Sequence, residues 1–146
     1  MFKFINAPPF APPLASGLLC AFLAFFAAGS LQQAPEIKTE RGYQEFLNIA
    51  LQGEMEHRLK DKTRVDILTE DLAIEIDFAS KWYEAIGQAT HYALMTDKPP
   101  GVLLIVRKES DEKYIKSARN VCRNTRIELD GKSYGITLFV FRDLEE

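Results

Sequence analysis

Four charged residues stand out for the chemistry their spacing allows. Asp66 is followed, after eight residues, by Glu75-Ile76-Asp77, and Lys81 comes four residues later. Alternation through residues 72–78 sends Ile74, Ile76 and Phe78 to one side and Glu75 and Asp77 to the other, as the side-chain period of a strand requires. Arg64–Leu68 reads as a second short strand, reached across the polar turn Thr69-Glu70-Asp71. A tight antiparallel hairpin then brings Asp66 beside Glu75 or Asp77. Carboxylates crowded in this way raise one another's pKa unless a divalent cation neutralises them. Asp66, Glu75 and Asp77 are therefore candidate metal ligands, and hard oxygen donors of this kind suit Mg2+, Mn2+ or Ca2+ rather than Zn2+. Zinc is further disfavoured because His57 and His91 are the only imidazoles, and Cys122 has no partner outside the first 30 residues.

After Phe78 the period changes. Trp82, Ala85, Ile86, Ala89 and Ala93 recur at three- and four-residue steps, which predicts a helix, with Ser80 as its N-cap. A second stripe on the same helix is polar: Lys81, Ala85, Gln88 and Tyr92 are spaced by four, three and four residues. A lysine, an amide and a phenol thus share one face just beyond the paired acids. His57 and His91 read as structural or surface groups, Trp82 and Phe46 as core, and Cys122 as a small apolar helix residue.

The elements that must position these groups occupy the chain beyond its first 30 residues. That opening segment carries a single charged side chain, Lys3, and residues 14–30 carry none. A positive start, an apolar middle and the small residues Ala27-Ala28-Gly29 predict a secretory leader cleaved near Gly29 or Ser30, with an uncleaved membrane anchor through residues 14–30 as the alternative. The expected location of the remainder is exported, whether periplasmic or secreted. Residues 31–38 form a polar linker with Pro35, and residues 39–146 form one domain with room for a single core.

Within that domain, Thr39 is placed to cap a helix to about Leu51, with Tyr43, Phe46, Leu47, Ala50 and Leu51 on its apolar side and Gly53 ending it. Strands are expected at 54–59, Arg64–Leu68 and 72–78, followed by the helix just described. Residues 101–106 (GVLLIV) form a continuous apolar run of the kind found in strands covered on both faces, parallel to an earlier strand through the helical crossover. A third helix is expected over residues 111–124, with strands at Arg126–Leu129 and 134–141 across the turn Asp130-Gly131-Lys132. The fold class is α/β with a mixed central sheet.

The order helix, three strands, helix, strand, with Asp66 on the second strand and Glu75-Ile76-Asp77 on the third, resembles the restriction-endonuclease-like superfamily, the PD-(D/E)XK nucleases. Gln88 and Tyr92 on the following helix resemble the Gln-x-x-x-Tyr motif of the lambda-exonuclease-like branch. The match covers roughly residues 39–106. It implies an αβββαβ core in which Asp66 and Glu75, with the Ile76 carbonyl, bind Mg2+ or Mn2+ for hydrolysis of a phosphodiester in DNA or RNA. It also implies that Gln88 and Tyr92 orient the site or touch a backbone phosphate. Asp77 stands where the family has lysine. Lys81 is then the candidate replacement, supplied from the helix, with Asp77 as a third metal ligand or as its holder. Glu56 is a candidate extra acid, and Glu40 a candidate for the glutamate that some members carry on the first helix.

Composition excludes a general nucleic-acid coat. Setting Lys3 aside leaves 17 basic against 21 acidic side chains, a net acidic remainder. Arg107, Lys108, Lys113, Lys116, Arg119, Arg123 and Arg126 nevertheless gather around the third helix, a basic edge of the kind a phosphate backbone needs. The expectation is an exported Mg2+-dependent nuclease with nucleic acid, foremost DNA, as partner. The alternative is a catalytically inactive binding module of the same fold.

Overall fold

The computed structural model describes Ile37 and residues 39–144. The expected leader or anchor at residues 1–30 lies outside the described residues, and among those described no helix is long and apolar enough to cross a membrane.

The first helix, α1 (Glu40–Leu51), starts as its sequence predicts: Thr39 Oγ1 accepts the Gly42 N–H at 3.1 Å, satisfying an amide that the helix leaves free. It buries Tyr43, Leu47 and Leu51. Its end differs from expectation. Gln52, not Gly53, takes the left-handed cap conformation, at φ 53°. Gly53 answers a different need, since a Cβ there would stand 2.5 Å from Ile67 Cγ2 and 2.9 Å from the Leu68 carbonyl oxygen. The Asn48 side chain holds both backbone groups of Gly53, at 2.9 and 3.0 Å.

Three antiparallel strands follow, β1 (Glu54–Arg58), β2 (Arg64–Leu68) and β3 (Ala73–Phe78). A 3₁₀ turn (Ala79–Lys81) leads into α2 (Trp82–Thr96), and β4 (Pro100–Val106) returns parallel to β3. A second 3₁₀ turn (Glu109–Asp111) opens α3 (Glu112–Asn124), after which β5 (Arg126–Leu129) and β6 (Lys132–Gly135) form a separate hairpin. The last strand, β7 (Thr137–Arg142), lies parallel to β4, so the five-stranded mixed sheet has the order β1-β2-β3-β4-β7.

Two expectations at element ends are corrected. Ser80 is inside the 3₁₀ turn rather than capping α2, whose first turn has no side-chain cap. The run 134–141 is not one strand: Ile136 separates β6 from β7, because the chain leaves the hairpin with β5 and turns to pair parallel with β4. Ile136 is itself buried, anchoring that change of partner in the core.

The sheet is covered on both faces. α1 packs on Ile67, Ile74, Ile76, Leu103, Ile105 and Phe139. On the opposite face α2 and α3 meet Val102, Leu104, Val106, Leu138 and Val140. Burial of each such side chain contributes about 1.5–3 kcal/mol. With both faces apolar, the acids of β3 are the exception that needs explaining.

Candidate metal centre

β2 and β3 pair only at Ile67 with Ile74 and at Leu68 with Ala73. Where the ladder stops, Asp66 takes over: its Oδ2 accepts the Ile76 N–H at 2.7 Å. On its other side the β1–β2 ladder passes from Met55 with Ile67 to His57 with Val65, stepping over Glu56 and Asp66. Glu56 there has φ 54°, a left-handed conformation that costs a non-glycine residue about 1–2 kcal/mol. Both neighbours of β2 thus part from it at Asp66, and the carboxyl group fills the opening.

Glu75 and Asp77 leave the sheet on the side away from Ile74 and Ile76, and together with Asp66 they are buried. Burial is the largest influence on all three, and it raises each pKa because the charged form loses its hydration. Asp66 and Glu75 lie within hydrogen-bonding reach of each other and titrate as a pair. Asp66 is also raised by Glu40 and Glu56 and lowered by the Ile76 N–H. Glu75 is raised further by Asp66, Asp77 and Glu40, which makes it the natural holder of a shared proton. Its Oε2 is buried with no hydrogen-bond partner among the described residues. An orphaned carboxylate oxygen in such a pocket is the expected mark of a site built for an electropositive ligand.

Lys81 reaches in. Its Nζ stands 3.3 Å from Asp77 Oδ1 and 3.9 Å from Glu40 Oε2 while the side chain stays about half exposed. Asp77, and to a smaller extent Glu40, raise the lysine's pKa, so the ammonium is firmly protonated. Asp77 also accepts the Phe78 N–H at 2.7 Å, which together with Lys81 partly offsets its burial. The geometry therefore places Asp77 as holder of the lysine. Glu40, from the first turn of α1, joins the cluster through Lys81 and Asp77, its own carboxyl raised first by burial. Glu56 pairs with Arg64 at 3.2 Å on the rim.

The α2 stripe divides. Tyr92 is buried, and its hydroxyl donates to Gln88 Oε1 at 3.1 Å. Burial, then Glu75 and Asp66, hold the phenol above its ordinary range, so it stays neutral beside the acids. Gln88 is exposed and uses its oxygen on Tyr92. His91 lies outside, bound to Asp61 at 2.6 Å, and His57 pairs with Glu54 at 2.9 Å, so neither imidazole is directed at the acids. Trp82 and Phe46 pack as partly buried core residues, and Cys122 is a buried free thiol. Sequence reading missed Gln44. It is one turn beyond Glu40, buried, with Oε1 unpartnered among the described residues. Its only signal was a polar residue between Tyr43 and Leu47 on the inner side of α1.

In kind, the oxygens of Asp66 and Glu75, with Glu75 Oε2 unpartnered among the described residues, are donors that a hard divalent cation takes. Among the described residues no group of three or more Asp, Glu, His or Cys side chains is gathered as a ready metal cage. No family model, curated protein or solved structure matches this chain.

Proposed function

We propose that the domain is a divalent-cation-dependent nuclease of the PD-(D/E)XK kind that hydrolyses phosphodiester bonds in nucleic acid, foremost DNA. The observation that carries this reading is the burial of Asp66 and Glu75 as an interacting pair, with Asp77, on the same strand face as Glu75, engaging the Lys81 ammonium at 3.3 Å. Asp66 and Glu75, with the Ile76 carbonyl, are the residues that would hold Mg2+ or Mn2+. Bound there, such an ion supplies a Lewis acid that acidifies water and neutralises charge growing on a phosphate. The chain's own residues do the rest. Asp66, fixed by the Ile76 N–H, cannot swing away. Lys81 takes the place of the usual motif lysine, positioned by Asp77 to steady negative charge at the mouth of the pocket. Tyr92, anchored on Gln88, closes one wall and limits water.

The test is cleavage of labelled DNA by the full chain with and without Mg2+ or Mn2+. Cation-dependent cutting that disappears in Glu75→Gln and Asp66→Asn is expected, and no cutting with either ion overturns the proposal. A second reading, an inactive binding module, is favoured by Asp77 standing at the lysine position, and it predicts DNA binding without cutting in every variant. We assign the domain to the exported side of a membrane on the strength of residues 1–30. Fractionation with mass spectrometry of the mature N-terminus checks this, and a full-length cytosolic chain would contradict it.

A further inference from the structure

The outer face of α3 is the strongest charged surface that the pocket leaves unused. Its inner face, Ile115, Ala118 and Cys122, is buried. On the outside Lys113, Lys116, Asn120 and Arg123 follow at steps of three, four and three residues, and all are exposed, so they form one stripe. The sequence from Lys113 to Asn124 contains no acidic side chain, and Glu112 at the helix start is paired with Arg142 at 2.8 Å. The chain as a whole carries a net charge of −3, so this stripe is a local concentration of positive charge on an acidic protein. It extends about 15 Å at 1.5 Å per residue. α3 also packs against the 3₁₀ turn that bears Lys81, so the helix carrying the stripe is a neighbour of the element that carries the lysine.

We propose that the outer face of α3 docks the phosphate backbone of the nucleic-acid strand presented to the pocket. The inference rests on the nuclease reading for its class of ligand. An anionic lipid surface also offers phosphates and attracts basic groups, but the apolar face of α3 is buried in the core and adds no insertion to that attraction, which leaves membrane adsorption the weaker alternative.

The test uses the full chain carrying Glu75→Gln, so that bound DNA is not cut. Fluorescence anisotropy with labelled single-stranded and duplex DNA is read over a salt series, with and without Lys113→Gln and Lys116→Gln together. Removing two phosphate contacts is expected to flatten the slope of log affinity against log salt by about 2, and to weaken low-salt binding by about tenfold or more. Lys60→Gln with Lys62→Gln, on the exposed β1–β2 turn, removes the same charge elsewhere and is expected to leave the slope unchanged. An unchanged slope in the α3 variant, an equal loss in the control, or lysine-dependent binding to phosphatidylglycerol vesicles in place of DNA overturns the proposal. The two readings fail separately. Lysine-dependent binding by a chain that never cuts ends the nuclease reading alone, whereas cutting with unaltered KM in the α3 variant ends the docking surface alone.

Discussion

Glu75 is the residue on which the chemistry and the stability of this fold pull in opposite directions. It and Asp66 are raised in the folded chain above their unfolded values of about 4.3 and 3.9, so the native state binds more protons than the unfolded state. The stability they contribute is full below about pH 4. It is lost as pH rises through the folded values, at about 1.4 kcal/mol for each pH unit that separates a group's folded value from its unfolded one. Urea denaturation without divalent ions is therefore expected to show wild type losing stability relative to Glu75→Gln as pH climbs from about 4 to beyond neutrality. A constant difference across that range contradicts the shared-proton account. Lys81 makes the opposite case. Lys81→Met is expected to lower the melting temperature, because buried Asp77 loses its partner, and to lower kcat by about 10²–10³, the usual loss for one group that stabilises developing charge, whereas Asp77→Asn with Lys81→Met recovers the melting temperature and not kcat. A variant that cuts at the wild-type rate removes Lys81 from the mechanism. Asp66, Glu75 and Lys81 were legible because period-two alternation put the acids on one strand face and a helical step put the lysine next to them. Glu56 was legible as an extra acid but its left-handed backbone was not, nor was Gln44, because a left-handed residue inside a strand and a buried amide inside an apolar helix face are set by tertiary neighbours.

At the scale of elements, helices and strands announced themselves wherever one face was apolar, and their boundaries did so less well. α1, β2, β3 and α2 stand close to where periodicity puts them, since each carries a regular apolar stripe into the core. The break at Ile136 left no trace in the sequence, because a residue that changes sheet partner is as apolar as those on either side. Ser80 misled because serine favours the N-cap in general, whereas here the chain tightens into a 3₁₀ turn that sets Lys81 over Asp77. The end of α1 offers a direct measurement. Gln52 occupies the left-handed cap at φ 53°, so Gln52→Gly is expected to raise unfolding free energy by about 1 kcal/mol in urea titration. A loss of stability would mean that the Gln52 side chain makes an interaction outweighing its backbone cost.

At the scale of the whole molecule, the sheet keeps three carboxyl groups, Asp66, Glu75 and Asp77, buried inside an otherwise apolar sandwich. Any ion that binds only the folded chain stabilises it by mass action, about 2.7 kcal/mol at a hundredfold excess over Kd. Mn2+ is accordingly expected to raise the melting temperature of wild type and not of Glu75→Gln. An equal rise in both places the ion elsewhere. The fold is also drawn shut between its two ends. The Tyr43 hydroxyl donates to Asp143 Oδ2 at 2.6 Å, and the Tyr43 ring meets Phe78 and Phe141 edge-on at 5.9 and 6.0 Å. Burial and Asp143 hold that phenol well above its ordinary range, so the bond keeps its proton at any physiological pH. A chain ending at Ile136 lacks Phe139, Phe141 and Asp143, and limited proteolysis is expected to cut it within Glu40–Leu51, while the full chain resists there. The helix bearing Glu40 thus leans on the strand Thr137–Arg142 as well as on its nearer neighbours, so the seat of that acid beside Lys81 is secured from a segment about a hundred residues away in the chain.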